Sequence, residues 1–268
     1  MITIMGNTFD AAPLMEKYPR GSVERQLLDV MSMSNENYRY DAVDQLKFEL
    51  QLRKETVDAA WRLYRSGFNF STFHKSKANP KYWDRTPNGG FKLKSGASPS
   101  EAIRDIFKNG NEYATECATA MIIVYYKALL GAFGETLFDE TFPSIYLMNW
   151  HMVDPLLQAV GTPRKVKKKL LGDRAYFDNP DVNPKTPEWQ GENVIVLPDG
   201  LYYGHGVGVG TAEQMIDSLN DNRRNGATRP AFLMDAVGRL DFKRLQSIYE
   251  RGAARTAHLV WDAFPQPI

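Results

Sequence analysis

The most regular hydrophobic pattern in the chain lies between Asp41 and Arg65. A repeat of about 3.6 residues is typical of a helix with one buried face. Gly67 follows, and glycine commonly ends a helix because it adopts backbone conformations that other residues avoid. The pattern therefore predicts a long amphipathic helix. Apolar residues recur in it with charged residues between them, at Ala42, Val43, Leu46, Phe48, Leu50, Leu52, Val57, Ala60, Leu63 and Tyr64.

A second apolar segment runs from Ala118 to Phe133 and is broken by Lys127. It is shorter than the roughly 20 apolar residues that a membrane-spanning helix needs. It predicts a buried central helix that begins near Asn111 or Thr115 and ends near Leu130. Shorter helices are predicted over 98–110, 211–223 and 241–251 from their capping residues.

Alternating apolar and turn-forming residues predict hairpins over 79–96 and 193–203, because each contains a turn signal between two strand-like arms. Further strands are predicted over 68–73, 143–150 and 231–233, and 161–188 is expected to be mostly loop. Helices come first and strands later, which indicates one α+β domain with helices packed on a mostly antiparallel sheet. Residues 1–40 are poorly patterned and are expected to wrap or cap the core formed by 41–268.

Composition narrows the class of protein. The chain has 268 residues, 43% of them apolar, and a formal net charge of +1. This balance gives no global electrostatic reason to expect nucleic acid or membrane binding. The first residues contain neither a basic segment nor a long apolar one, so no signal peptide is predicted. A single cysteine fits a reducing compartment.

That cysteine, Cys117, lies between Glu116 and the apolar run. A lone thiol is more often a packed small side chain than a reactive group. Three features favour reactivity: a helix start stabilises a thiolate, the neighbours are small, and Glu116 is adjacent. An ionised Glu116 would raise the pKa of the thiol, whereas a close one would act as base. The sequence leaves both open.

A proton acceptor for the thiol is sought among the four histidines and the nearby acids. His74, His151 and His258 are interpreted as structural or surface residues. His205 follows a strand directly, between two glycines expected to expose its ring. Glu192 lies 13 positions earlier across one hairpin, so the two are expected near each other, although a solvated strand-end carboxylate is commoner.

The sequence gives little support to phosphate binding or metal binding. The glycines around His205 lack the spacing of a phosphate-binding loop. One cysteine and scattered histidines offer no metal-ligand spacing, so no metal and no cofactor is predicted. The basic run from Arg164 to Lys169 is interpreted as a solvated loop.

Three separated motifs then agree with one family. Glu116-Cys117-Ala118-Thr119-Ala120, Trp189-Gln190-Gly191-Glu192-Asn193-Val194-Ile195 and Gly204-His205-Gly206-Val207-Gly208 stand in the same order and spacing. The chain resembles the bacterial spore-coat transglutaminases of Bacillus-type spore formers. The resemblance covers roughly residues 40–250, and fades over 1–40, 155–170 and the tail.

The resemblance implies a papain-like core of the NlpC/P60 type and a calcium-independent transglutaminase. It implies Cys117 as nucleophile, Glu192 as its acid/base partner and Glu116 as an accessory carboxylate. His205 would be a further polar residue of the site. Phe70 and Trp189 match positions that line the family's substrate tunnel. Papain-like enzymes usually pair the thiol with histidine, so a glutamate in that place leaves the role of His205 open.

The implied reaction joins a glutamine side chain to a lysine through a Cys117 thioester, with release of ammonia. The expected partners are glutamine- and lysine-bearing spore coat proteins, with no nucleic acid and no membrane. The chain is expected to be a monomer, in the mother-cell cytoplasm and then in the coat. Two alternatives are a papain-like cysteine amidase or peptidase and a structural coat protein with a packed thiol.

Overall fold

The structure is a computed structural model that describes the backbone of residues 1–262. The side chains of His151 and of residues 256–262 are not among the described ones. The interpretation of His151 and His258 as structural or surface residues therefore lies outside the described side chains.

Helices alternate with short strands along the described chain. In chain order the helices are α1 (Ala12–Met15), α2 (Val23–Met33), α3 (Val43–Arg65), α4 (Pro99–Lys108), α5 (Cys117–Phe133), α6 (Glu135–Thr141), α7 (Gln158–Gly161), α8 (Ala212–Asn220) and α9 (Phe242–Asp262). Among the helices of the described residues, none combines the length and the hydrophobicity that a bilayer-spanning segment requires.

The strands form several sheets. They are β1 (Ile2–Ile4), β2 (Asn7–Thr8), β3 (Tyr38–Tyr40), β4 (Asn69–Phe70), β5 (Trp83–Arg85), β6 (Phe91–Leu93), β7 (Ala114–Thr115), β8 (Tyr146–Leu147), β9 (Arg164–Lys165), β10 (Arg174–Asp178), β11 (Gly191–Val196), β12 (Leu201–Gly204), β13 (Gly208–Thr211), β14 (Phe232–Leu233) and β15 (Ala236–Val237).

The largest sheet has the order β13-β12-β11-β10-β14, and its neighbours are all antiparallel. Helix α5 packs against α3 on one side and against β11 on the other. It is buried nearly all round, which is why its sequence is apolar rather than amphipathic. The prediction of an α+β fold with helices on a mostly antiparallel sheet is confirmed.

Opposite faces of this sheet meet different layers. On β11, Ile195 packs in the core that contains α5. Its neighbours Val194 and Val196 pack in a second cluster with Met215 and Leu219 of α8. Because side chains alternate along a strand, Asn193 shares the α5 face with Ile195. The register pairs Asn193 with Tyr176 and Ile195 with Arg174, so these two β10 side chains lie on that face as well.

Several sequence predictions are confirmed, and the structure adds elements that the sequence patterns did not indicate. Helix α3 and the hairpins β5–β6 and β11–β12 lie where the patterns put them. The segment 161–188 is mostly loop, as predicted, but it also contains β9 and β10, and β10 pairs with both β11 and β14. Residues 1–40, which are poorly patterned in sequence, contain α1, α2 and three strands.

The N-terminal residues build a small core of their own against α3. Leu27, Leu28 and Met31 of α2 pack with Leu46 and Leu50 of α3. Strand β1 pairs in parallel with β3 immediately before that helix.

Candidate active site

Cys117 is the first residue of α5, and Glu116 is its N-cap. The Glu116 carboxylate accepts hydrogen bonds from the backbone N–H groups of Ala118 (2.5 Å) and Thr119 (2.8 Å), and also from the Thr119 hydroxyl. Both oxygens are thereby engaged with the helix. Glu116 holds the start of α5, and so the position of the thiol, in place.

The thiol opens into a cavity of about 630 Å³. Cys117 itself is partly exposed there. The cavity lies between the start of α5, the α5-facing side of the large sheet, β15 and the segments that carry Phe70 and Trp150. Its lining is mainly aromatic and apolar: Phe70, Thr72, Phe73, Glu116, Cys117, Ala118, Asn149, Trp150, Gly161, Pro163, Arg174, Tyr176, Pro187, Glu188, Asn193, Met234 and Ala236.

Glu192 is buried at the start of β11. Burial, and then the negative charge of Glu116, raise the pKa of the Glu192 carboxyl well above its usual value, while its contact with Cys117 lowers that pKa in part. Within the described residues, its Oε1 has no hydrogen-bond partner. A buried carboxyl with an unengaged oxygen next to a thiol is suited to proton transfer.

The Cys117 thiol is also held in its protonated form. Burial raises its pKa most, followed by the charges of Glu192 and Glu116. Asn193 acts in the opposite sense, because its Nδ2–H donates to Cys117 Sγ at 3.4 Å. The thiol therefore needs a base to become nucleophilic.

Arg174 lies behind Asn193. Its Nη1 donates to Asn193 Oδ1 at 2.9 Å, its Nε donates to the Val160 carbonyl at 2.9 Å, and its guanidinium lies 4.7 Å from the centre of the Trp150 ring. Arg174 lies in a segment predicted to be loop, so no sequence pattern pointed to it. Trp150 ends a predicted strand and Asn193 lies in one of the three family motifs, but their residue types alone gave no signal of a functional role.

His205 does not line the cavity at the thiol, and it is buried rather than exposed, contrary to the expectation from its flanking glycines. The ring is 3% exposed and stacks on Phe68. Its Nε2–H donates to the Asn69 carbonyl at 3.0 Å, which leaves Nδ1 to accept from the Tyr203 hydroxyl at 3.3 Å. Burial lowers the pKa of His205 to about 4.

The two glycines beside His205 make room for other residues of the site. A Cβ atom on Gly204 would lie 2.7 Å from Glu192 Cγ and Oε1. One on Gly206, whose φ is +128°, would lie 3.0 Å from the Phe70 ring. The motif thus allows the Glu192 carboxyl and Phe70 to pack against bare backbone.

The two expected tunnel residues are placed differently. Phe70 lines the cavity and is 39% exposed. Trp189 is absent from the lining of this cavity and packs instead beside the second core cluster, behind β11. Trp150 supplies the indole of the cavity wall. No group of three or more potential metal ligands occurs among the residues that the structure describes.

Comparison with known proteins adds an independent observation. The family model for protein-glutamine gamma-glutamyltransferases matches residues 1–249. Proteins of that name from Bacillus cereus (strain G9842) and Bacillus mycoides (strain KBAB4) are 45% and 44% identical over 234 residues. Each alignment covers 87% of this chain and 83% of the relative.

A solved structure is similar as well. It is the transglutaminase from Geobacillus stearothermophilus without its C-terminal extension, at 42% identity and a TM-score of 0.73. The match covers 77% of this chain and 98% of that one.

Proposed function

The chain belongs to the protein-glutamine gamma-glutamyltransferase family, and on that premise we propose that Cys117 and Glu192 carry out its acyl transfer. Proteins of this family are acyltransferases that act on glutamine side chains of proteins. The observation that carries the proposal is the position of the thiol: it faces a cavity at a helix start, beside a buried carboxyl with an unengaged oxygen.

In the first half-reaction, the Glu192 carboxylate takes the thiol proton as Cys117 Sγ attacks the carbon of a glutamine carboxamide. The carbonyl electron pair moves to oxygen and returns as the C–N bond breaks. Glu192 gives its proton to the departing ammonia. A thioester between Cys117 and the glutamyl group remains.

In the second half-reaction, a lysine ε-amine attacks the thioester and gives its proton to Glu192. Collapse of the tetrahedral intermediate expels Cys117 Sγ, which is reprotonated by Glu192. The product is an isopeptide bond. The aromatic walls formed by Phe70 and Trp150 would exclude water, which competes with the amine for the thioester.

Hydrogen bonding favours Glu192 over the other candidates as the base. Both oxygens of Glu116 cap α5, and both ring nitrogens of His205 are engaged with Asn69 and Tyr203. The raised pKa of Glu192 makes its carboxylate a stronger base than an ordinary glutamate. Glu116 then acts as an accessory carboxylate through its charge, and His205 as a residue that supports the strand carrying Phe70.

The same cap narrows the choice of donors for the oxyanion. Glu116 engages the N–H groups of Ala118 and Thr119, so they do not serve a substrate. The Cys117 N–H makes no hydrogen bond within the described part of the chain. It is therefore the backbone donor proposed for the developing oxyanion.

The finer identity follows the resemblance to the spore-coat enzymes. We propose a papain-like core of the NlpC/P60 type, because the nucleophile begins a buried helix that packs on an antiparallel sheet. The substrates are proposed to be spore coat proteins, joined by a calcium-independent monomer in the mother-cell cytoplasm and then in the coat. Relatives from Bacillus and Geobacillus support this proposal.

The decisive experiment measures ammonia release and amine incorporation on a glutamine-bearing protein, with and without a primary amine. We expect amine-dependent incorporation by the natural chain and a loss of at least about a thousandfold in Cys117→Ala. Unchanged incorporation by that variant would end the proposal.

Two further measurements distinguish the transferase from the two alternative functions. A papain-like amidase or peptidase would hydrolyse faster than it transfers to millimolar amine. A structural coat protein with a packed thiol would not react with a small alkylating agent in its folded state. Because Cys117 opens into a cavity, the structure gives no reason to prefer either alternative to a transferase.

A further inference from the structure

Arg174 is a buried cation without an acidic partner. It is 5% exposed, and within the described residues it makes no ion pair with any aspartate or glutamate. The other buried arginine, Arg53, contrasts with it, since it bonds both Glu49 and Asp173. A guanidinium stays charged in proteins, and burying it without a counter-charge is costly. The protein retains an uncompensated positive charge at the cavity wall.

Asn193 connects this charge to the nucleophile. Arginine can only donate, so the Asn193 atom 2.9 Å from Arg174 Nη1 must be the carbonyl oxygen. The amide nitrogen is thereby directed to Cys117 Sγ, at 3.4 Å. A donor bonded to the oxygen of an amide polarises its N–H groups. Arg174 thus both fixes the orientation of Asn193 and strengthens it as a donor.

The sheet explains why these atoms meet. Arg174 and Asn193 lie on adjacent antiparallel strands and on the face against which α5 packs. Helix α5 begins at Cys117, so the sulfur lies at the end of this chain of hydrogen bonds. The stack of Arg174 on Trp150 and its bond to Val160 hold the guanidinium from the other side.

We infer that Asn193 is a catalytic residue that stabilises negative charge on Cys117 Sγ, and that Arg174 is the positioning residue that orients and polarises it. The inference rests on the proposed function in taking Cys117 as the nucleophile. Glu192 still removes the thiol proton. The Arg174–Asn193 pair stabilises the thiolate that results, and again when Sγ leaves the thioester.

The first test follows the rate of Cys117 alkylation by iodoacetamide against pH, a reaction that needs no glutamine substrate. We expect Asn193→Ala to lower the rate about tenfold or more below the thiol pKa, because a hydrogen bond to a charged group is lost. Its pH profile should move to higher pH. An unmoved profile would overturn the inference. Asn179→Ala is the matched control: it removes a buried asparagine bonded to backbone carbonyls, and the profile should stay in place.

Asn193→Asp separates a catalytic role from a structural one. The introduced carboxylate would pair with the buried Arg174, so the melting temperature should hold or rise. The same carboxylate beside the sulfur would repel the thiolate, so alkylation should be slower than in Asn193→Ala. A faster alkylation than in Asn193→Ala would contradict the inference.

A double-mutant cycle tests the role of Arg174. Arg174→Met should slow alkylation about threefold to tenfold when Asn193 is present, and less than about twofold in the Asn193→Ala background. Arg174→Lys, which keeps the charge, should recover part of the rate. Fully additive effects would show that Arg174 does not act through Asn193. If amine incorporation fails in the natural chain while these profiles shift as expected, the proposed function is wrong and the Arg174–Asn193 inference stands.

Discussion

At the scale of single residues, the site divides its polar groups between fixed and free ones. Glu116 and His205 have their polar atoms engaged in hydrogen bonds that hold the backbone of α5 and β4. Glu192 keeps one oxygen unengaged within the described part of the chain. Residue type alone does not distinguish these roles, because all three side chains can accept a proton. What distinguishes them is the hydrogen bonds already made.

His205 should make the stability of the protein depend on pH. Its pKa is about 4 in the folded chain against an ordinary value of 6.5. Between those values the unfolded chain binds a proton that the folded chain does not, so the free energy of unfolding falls as the pH falls from 6.5 to 4. The loss from this residue should approach about 3 kcal/mol near pH 4.

The measurement is urea unfolding of the natural chain and of His205→Phe at several pH values. The phenyl ring keeps the stacking on Phe68 but leaves the Asn69 carbonyl without its donor. We expect a cost of about 1–3 kcal/mol at pH 7 and a flatter pH dependence. His74→Phe, at an exposed histidine, is the control and should keep the natural slope. An equally steep slope in His205→Phe would contradict the assignment.

At the scale of elements, the sequence predicts those helices and strands whose pattern arises within one segment. It does not predict those that depend on contacts with other segments. Helix α3 shows a helical period because one face is buried. The sequence pattern predicts that α5 begins near Asn111 or Thr115, whereas the helix begins at Cys117 because the Glu116 side chain caps it. Strand β10 was not predicted because its sequence has charged ends, and the hydrogen-bond partners of Arg174 in the described part of the chain, Val160 and Asn193, lie on other segments.

The same limit applies to the site: residues within the sequence motifs were predicted, and residues from distant segments were not. The sequence motifs selected Cys117, Glu116 and Glu192, which the structure brings together. The resemblance implied that Trp189 lines the substrate tunnel, but its side chain packs with the cluster behind the sheet. Trp150 lines the cavity from a distant segment of the chain. Contacts between segments so far apart in sequence leave no periodic signal.

Arg53 ties α3 to the residues that lead into β10. It bonds Glu49 Oε1 at 2.8 Å, Asp173 Oδ1 at 2.9 Å and the Leu171 carbonyl at 2.8 Å, and its side chain is 1% exposed. Removing the Arg53 guanidinium leaves Asp173 with Arg239 alone and takes from the buried Glu49 carboxylate the cation it pairs with, and a buried charge left without a counter-charge is costly. We therefore expect Arg53→Met to lower the free energy of unfolding by about 3–5 kcal/mol.

Urea unfolding checks this expectation. Lys54→Met, at the next residue of the same helix, is the matched control. Its ion pairs with Glu55 and Asp58 are partly exposed, so it should change stability by less than about 1 kcal/mol. Equal effects of the two substitutions would show that the buried network contributes little.

At the scale of the whole molecule, the open question is whether residues 1–40 belong to the same folding unit as the rest. We propose that they cap the core formed by 41–268. Helix α2 contributes Leu27, Leu28 and Met31 to a cluster whose other side is α3, and none of residues 1–40 lines the Cys117 cavity. The segment would then stabilise the catalytic domain without gating it.

Leu28→Ala tests that proposal because Leu28 is fully buried between α2 and α3. Deleting its methyl groups should cost about 2–5 kcal/mol. If residues 1–40 unfold together with the core, the whole loss appears in a single transition, followed by near-ultraviolet circular dichroism and by protection of the thiol. Met33→Ala, at a 79% exposed position of the same helix, should change stability by less than about 0.5 kcal/mol.

The rate of Cys117 alkylation in the folded Leu28→Ala variant is the second measurement. Because no residue of 1–40 lines the cavity, folded Leu28→Ala should be alkylated at Cys117 as fast as the natural chain. A separate early transition that leaves Cys117 protected would mean that residues 1–40 form an independent layer. A faster alkylation in the folded state would mean that this layer controls access to the site. Only a single transition with unchanged alkylation fits a cap that is part of one cooperative domain.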